Sequence, residues 1–164
     1  MDEKIFKREE LKKRVQALKM AGKKIVFTNG CFDLLHIGHV RYLAAAKAEG
    51  DVLVVGINSD RSVRRIKGPS RPVVPENERA EVLASLSCVD FVTLFDEPDP
   101  VVTIRSLMPD VLVKGADWAE DAIAGREVVE AKGGCVVRIP LTQGASTTRI
   151  VERILAIHSS RPPC

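Results

Sequence analysis

The sequence predicts an α/β fold, a single-domain doubly wound parallel sheet, and three observations carry that prediction. Short apolar runs recur along the 164 residues, at Ile25, Val52, Val89, Val111 and Cys135. The intervals between them are filled by amphipathic, helix-like patterns, and such alternation folds as a parallel sheet with crossover helices. The run Val52-Leu53-Val54-Val55-Gly56-Ile57 is apolar at almost every position, as a strand covered on both faces must be.

Taken in order, residues 7–21 place Leu11, Val15, Leu18 and Met20 among many charges, and Gly22 ends the amphipathic helix they imply. Ile25–Thr28 is a first buried strand, and residues 38–48 form the next helix, closed by Gly50. After the strand at 52–57 comes a polar loop, Asn58–Val74. Pro75 stands where a helix can start, over 76–86. Val89–Phe95 reads as a third strand and Pro100–Leu107 as a helix. Val111–Val113 is a short strand, 119–131 a helix stopped at Gly133-Gly134, Cys135–Ile139 a fifth strand and Ser146–Ile157 a last helix. The organisation is therefore an N-terminal helix within 1–22, one domain over 23–157, and a flexible tail over 158–164.

Composition removes several classes of function. A net charge of +3, from 25 Lys and Arg against 22 Asp and Glu, is too small to indicate nucleic acid. No stretch approaches the ~20 apolar residues of a membrane span. The amino end, MDEKIFKREELKKR, lacks the apolar core of a signal peptide. Cys31, Cys88, Cys135 and Cys164 are far apart with no Cys-x-x-Cys pair, which argues against zinc and for reduced thiols in the cytoplasm. A chain of this size buries roughly 70% of its unfolded surface and needs no covalent or metal staple.

The chemistry concentrates in residues 28–39, Thr-Asn-Gly-Cys-Phe-Asp-Leu-Leu-His-Ile-Gly-His. A strand feeds a glycine-containing turn and then a helix amino end, where unpaired N–H groups and a partial positive charge suit phosphate. His36 and His39, three apart, lie on one face of a helical turn and can reach the same anion. A structural pair or a metal half-site would also explain them. Gly144-Ala145-Ser146-Thr147-Thr148-Arg149 is a second glycine-to-helix junction, in which a plain helix cap would equally explain the serine and threonines. In a doubly wound sheet the loops after Thr28, Ile57, Val113 and Ile139 converge on one cleft.

These segments resemble the nucleotidyltransferase superfamily marked by His-x-Gly-His. The nearest likeness is to adenylyltransferases that make ADP-heptose from D-glycero-D-manno-heptose 1-phosphate. The resemblance covers about Lys23 to Ile154. It is carried by TNGCFDLLHIGH (28–39), GINSD (56–60), KGPSRPVVPENER (67–79), VDFV (89–92), PDVLVKGADW (109–118), IAGREVV (123–129) and GASTTRIV (144–151). His-Ile-Gly-His also occurs in class I aminoacyl-tRNA synthetases, which are much longer and carry a lysine-rich second signature absent here. Cytidylyltransferases for glycerol 3-phosphate carry an Arg-Thr-x-Gly pattern where this chain has Leu141-Thr142-Gln143-Gly144, a departure that weakens a cytidylyl reading.

The resemblance implies a Rossmann-like sheet of nucleotidyltransferase type and AMP transfer from ATP to a sugar 1-phosphate, with Mg²⁺ held mainly by the phosphates and not directly by the protein. It assigns His36, His39 and Lys67 to catalysis. Asn29, Gly30, Cys31, Phe32, Gly38, Lys114, Gly115, Asp117, Thr142, Gly144, Ser146, Thr147 and Thr148 fall to the nucleotide. Arg79 would orient a loop or touch substrate, Trp118 would cover the cleft or simply pack, and Asp33 would act through Mg²⁺ or hold the turn. Arg61, Arg64 and Arg65 are expected to face solvent. In many relatives a sugar kinase precedes this domain. About 22 residues precede the first strand here, so a separate heptose kinase is expected. The family also implies a homodimer, with no nucleic-acid or membrane partner. Sibling enzymes making CDP-glycerol or FAD, and a nucleotide-binding regulator without turnover, are the alternatives.

Overall fold

A computed structural model describes residues 2–159, so residues 160–164 of the expected tail lie outside the described residues. The chain runs α1 (Arg8–Met20), β1 (Ile25–Gly30), α2 (Ile37–Lys47), β2 (Val52–Asn58), α3 (Asp60–Lys67), α4 (Glu76–Ala84), β3 (Phe91–Phe95), α5 (Val101–Leu107), β4 (Val111–Gly115), α6 (Arg126–Glu130), β5 (Cys135–Ile139) and α7 (Thr147–Ser159). The five strands form one parallel sheet in the order β3-β2-β1-β4-β5. β1 is central, with Ile25 opposite Val52 on one side and Val26 opposite Val111 on the other. Strand order reverses between β1 and β4, and a ligand crevice belongs just beyond the carboxyl ends there.

Side chains alternate across β1, so Ile25 and Phe27 pack with Leu11, Val15, Ile104 and Val129 on one face. Val26 packs with Leu43, Ala46 and Leu83 on the other. Each fully buried aliphatic or aromatic side chain contributes roughly 1.5–3 kcal/mol, so α1 is bound into the core by its buried Leu11 and Val15. Among the described residues no helix is long and apolar enough to cross a membrane.

Four expectations need correction. The polar loop over 58–74 contains α3, whose Ser59 cap accepts a hydrogen bond from the Ser62 N–H at 3.1 Å. With only Val63 and Ile66 apolar, the helix has too little hydrophobic period to be recognised, and Ser59-Asp60 was its sole start signal. The helix expected over 119–131 is a 3₁₀ turn, Glu120–Ala122, then a break at Gly125 (φ 88°), then the short α6. β1 runs on to Gly30, which makes Asn29 and Gly30 strand residues, not turn residues. His158 and Ser159 close α7 and are not part of a tail.

Candidate active site

A cleft of about 810 Å³ opens at the carboxyl end of the sheet. Asn29, Gly30, Cys31, Phe32 and Asp33 form its floor, with His39 of α2 and Lys67 of α3 on its walls. Lys114 and Gly115 of β4, Trp118, and Thr147 and Thr148 of α7 complete it. The segments after Thr28, Ile57 and Val113 converge here as expected, while the one after Ile139 reaches the cleft only at the start of α7.

The two histidines meet as a stacked pair, with ring centroids 3.9 Å apart and 23° between planes. His36 is the N-cap residue of α2, in extended conformation. Phe32 props the pair from below, its buried ring edge-on to His39 at 5.3 Å. To do so it adopts φ 45°, a left-handed conformation that costs a non-glycine residue about 1–2 kcal/mol. Tyr42 fixes α2 against the switch point. Its hydroxyl donates to the Val113 carbonyl at 3.2 Å and so accepts from Thr28 Oγ1 at 2.7 Å. Burial pushes the Tyr42 pKa up to about 12.

Nδ1 of both imidazoles is buried without a close hydrogen-bond partner. Burial, then the neighbouring His36, drive the His39 pKa down to about 4, against a weak opposing pull from the Leu34 backbone. Burial also lowers His36. The stack is therefore neutral at pH 7, and triphosphate charge beside it favours imidazolium. ATP binding at pH 6 is accordingly expected to take up protons, seen as a binding enthalpy that varies with buffer ionisation heat. A buffer-independent enthalpy would contradict this. In the free protein, unfolded His39 titrates near 6.5 and native His39 near 4. Stability should therefore fall as pH drops from 6.5 to 4, and less so in His39→Gln.

Gly38 lies beneath the pair. A Cβ there would stand 2.9 Å from His36 Cε1 and Nδ1 and 3.1 Å from Ala145 Cβ. Gly38→Ala should displace the His36 ring, lowering kcat at least ~10-fold while thermal stability changes little. Wild-type kcat in that variant would show that the ring position is unimportant.

Beside the histidines, Ser146 Oγ accepts from the Arg149 N–H at 3.2 Å and caps α7. Thr147 Oγ1 donates to the Leu34 carbonyl at 3.4 Å, joining the two helix starts. The turn before α7 is held by Ala145 N–H to the Thr142 carbonyl at 3.3 Å, with Gly144 at φ 75°. Thr142, Gly144, Ser146, Gly38, His36 and Asp117 thus frame the cleft from behind and do not line it.

Lys67 closes α3 and is exposed at the cleft wall, so it stands on a helix end and not in the loop expected there. Arg61, Arg64 and Arg65 face outward as expected, Arg61 pairing with Asp96 at 2.7 Å. For two residues the structure favours the structural alternative. Arg79 does not reach substrate, because its side chain is fully buried. It donates to the carbonyls of Val74 (3.0 Å), Cys31 (2.5 Å) and Asn58 (2.9 Å) and pairs with Asp60 at 2.8 Å. It therefore ties the ends of β1 and β2 to α3 and to the segment before α4. Asp33 holds a loop: its Oδ1 accepts from Val73 N–H (2.8 Å) and Val74 N–H (3.0 Å). Its Oδ2 lies 3.1 Å from Arg71 Nε, an ion pair off the hydrogen-bond line. A carboxylate so engaged is poorly placed to ligate Mg²⁺, and a metal held by phosphate oxygens fits these residues better. Trp118 is half exposed at the rim.

Sequence reasoning missed Asn58, Val63 and Ile66, and the Pro98-Asp99-Pro100 corner, all on the cleft wall. The α3 residues were hidden with their helix. The corner carried a signal, since it follows the carboxyl end of β3, where functional loops gather.

Residues 27–153 match the cytidylyltransferase-like family model. The chain belongs to the cytidylyltransferase-like family. It is therefore a nucleotidyltransferase by family. It is 54% identical over 154 residues to the "Bifunctional protein HldE" of Syntrophotalea carbinolica, covering 94% of this chain and 31% of that protein. It is 58% identical over 135 residues to the protein of the same name from Citrifermentans bemidjiense, covering 82% and 28%. The chain thus spans about a third of the length of these relatives. Among solved structures, the lipopolysaccharide core biosynthesis protein of Thermoplasma volcanium aligns with TM-score 0.61 and 31% identity, over 76% of this chain and all of that one. Pantoate-beta-alanine ligase from Francisella tularensis, complexed with beta-gamma ATP and beta-alanine, aligns with TM-score 0.58 over 96% of this chain and 79% of its own. At 16% identity it shares the fold alone.

Proposed function

We propose that this cytidylyltransferase-like domain transfers AMP from ATP to D-glycero-D-manno-heptose 1-phosphate, releasing pyrophosphate and forming ADP-heptose for lipopolysaccharide core synthesis. The observation that carries the reading is His39, stacked on His36, which shares one cleft with Lys67, Lys114 and the start of α7. The likeness to a lipopolysaccharide core biosynthesis protein of Thermoplasma volcanium and the high identity to the HldE relatives favour this acceptor over glycerol 3-phosphate.

The chemistry needs no protein nucleophile. A phosphate oxygen of the acceptor, already anionic at neutral pH, attacks the α-phosphorus in line. The new P–O bond forms as the bond to the β-phosphate oxygen breaks, and that electron pair leaves with pyrophosphate. His36 and His39 hydrogen-bond the phosphoryl oxygens as charge shifts, Lys67 neutralises them from the α3 side, and the first N–H groups of α7 meet the terminal phosphates. Backbone at Gly30–Phe32 approaches the chain of phosphates, and Gly115–Trp118 lies beside the base. A Mg²⁺ ion carried in by the triphosphate would supply further charge neutralisation there.

The sugar 1-phosphate must come from a phosphorylating enzyme, and the domain acts in the cytoplasm as a homodimer. Pyrophosphate release, measured across ATP or CTP with heptose 1-phosphate, glycerol 3-phosphate and FMN, tests the reading. Release with ATP and heptose 1-phosphate above all other pairs is expected. Release confined to CTP with glycerol 3-phosphate, or to ATP with FMN, would replace this enzyme by a sibling.

A further inference from the structure

The cleft has two halves, and His39, backed by His36, borders one. Pleat alternation sends Asn29, Asn58 and Lys114 to the sheet face that carries Phe27, Val54 and Leu112 lower down. That is the face opposite α2 and its histidines, since Leu43 and Ala46 of α2 pack with Val26 and Val113.

Lys114 is only 7% exposed, yet no carboxylate lies within ion-pair distance of its ammonium among the described residues. It donates one hydrogen bond, to Asn29 Oδ1, and stands 5.7 Å from the Trp118 ring centroid. Asp117 acts on it only at longer range. An ammonium has three protons to place, so two remain, beside a cleft that both Lys114 and Asn29 line. A buried cation without a counter-ion is costly and marks a place where an anion would be welcome. Consistent with this, burial lowers the Lys114 pKa to about 8, leaving it largely charged at pH 7.

In-line displacement decides which anion. The attacking and leaving oxygens lie on opposite sides of the α-phosphorus. Pyrophosphate leaves toward the histidines and α7, so attack comes from the half that holds Lys114. We propose that the Lys114 ammonium, positioned by Asn29, seats the phosphate of the acceptor, and that this pair selects a phosphate monoester as nucleophile. The inference rests on the nucleotidyl-transfer reading and names the residue that makes the acceptor's phosphate, not its sugar, the first requirement.

The test is calorimetric titration of acceptors into the full chain saturated with α,β-methylene ATP, comparing wild type with Lys114→Met and Lys114→Arg. The Met side chain keeps length and removes a buried charge, so folding should survive, and an unchanged melting temperature checks this. Heptose 1-phosphate affinity is expected to fall about 10- to 100-fold in Lys114→Met, with partial recovery in Lys114→Arg and nucleotide affinity within about twofold of wild type. Unchanged acceptor affinity, or a loss falling on the nucleotide instead, would overturn the proposal. If glycerol 3-phosphate binds in place of heptose 1-phosphate and loses affinity in Lys114→Met, the seat stands and the heptose reading falls. If no phosphate ester binds the wild type, both fall.

Discussion

Replacing either His36 or His39 by alanine is expected to lower kcat at least ~10²-fold while leaving the fold intact, the loss typical when stabilisation of developing phosphoryl charge is removed. The rings are stacked at 3.9 Å and their buried Nδ1 atoms lack close partners, so replacing either ring removes no hydrogen bond at Nδ1. Steady-state kinetics beside thermal melts would check this. The double variant should be little worse than either single one, because one imidazole of a stacked unit cannot hold the geometry alone. Near-normal turnover in both single variants would assign the pair to structure.

The second large effect belongs to a residue that touches no substrate. Arg79→Met should destabilise the protein by about 3–5 kcal/mol, since it strips a buried ion pair and leaves carbonyls of Cys31, Asn58 and Val74 without their donor. That is a large share of the roughly 5–15 kcal/mol typical of a whole domain. Urea unfolding would read it as a lower midpoint at unchanged slope. Activity should fall as well, because Cys31 stands at the floor of the cleft. Arg79→Lys should recover little, as one ammonium cannot replace a guanidinium that serves four acceptors from fixed angles. A loss below about 1 kcal/mol would mean the surrounding carbonyls find other partners.

Arg79 also shows where sequence reading runs out. Nothing in Glu76-Asn77-Glu78-Arg79 distinguishes an arginine turned inward from one facing solvent, because arginines on short helices are usually exposed. Its acceptors come from segments 5 to 48 residues away and exist only once the sheet has formed. Asp33 is similar: its partners, Arg71, Val73 and Val74, lie about forty residues downstream. By contrast, β2 and the N-terminal strand were legible because burial on both faces leaves an uninterrupted apolar run, and His36 and His39 because local helical spacing alone brings the rings together. The amphipathic α1 was legible for the same reason. The short α3, with few apolar residues, carried no period to detect, and the helix expected over 119–131 is reduced to α6 by Gly125 at positive φ. The sequence places Lys114 beside a nucleotide through its backbone. Only the pleat shows its side chain facing the other half of the cleft.

The most direct measurement of the central claim is ³¹P NMR of this chain incubated with Mg²⁺, ATP and D-glycero-D-manno-heptose 1-phosphate. The account predicts stoichiometric growth of a new diphosphate pair and of free pyrophosphate, as the sugar-phosphate and ATP signals decline together. Pyrophosphate appearing with CTP and glycerol 3-phosphate but not with this pair would contradict the acceptor and the base. Unchanged spectra with every nucleotide and acceptor would leave a nucleotide-binding protein without transfer.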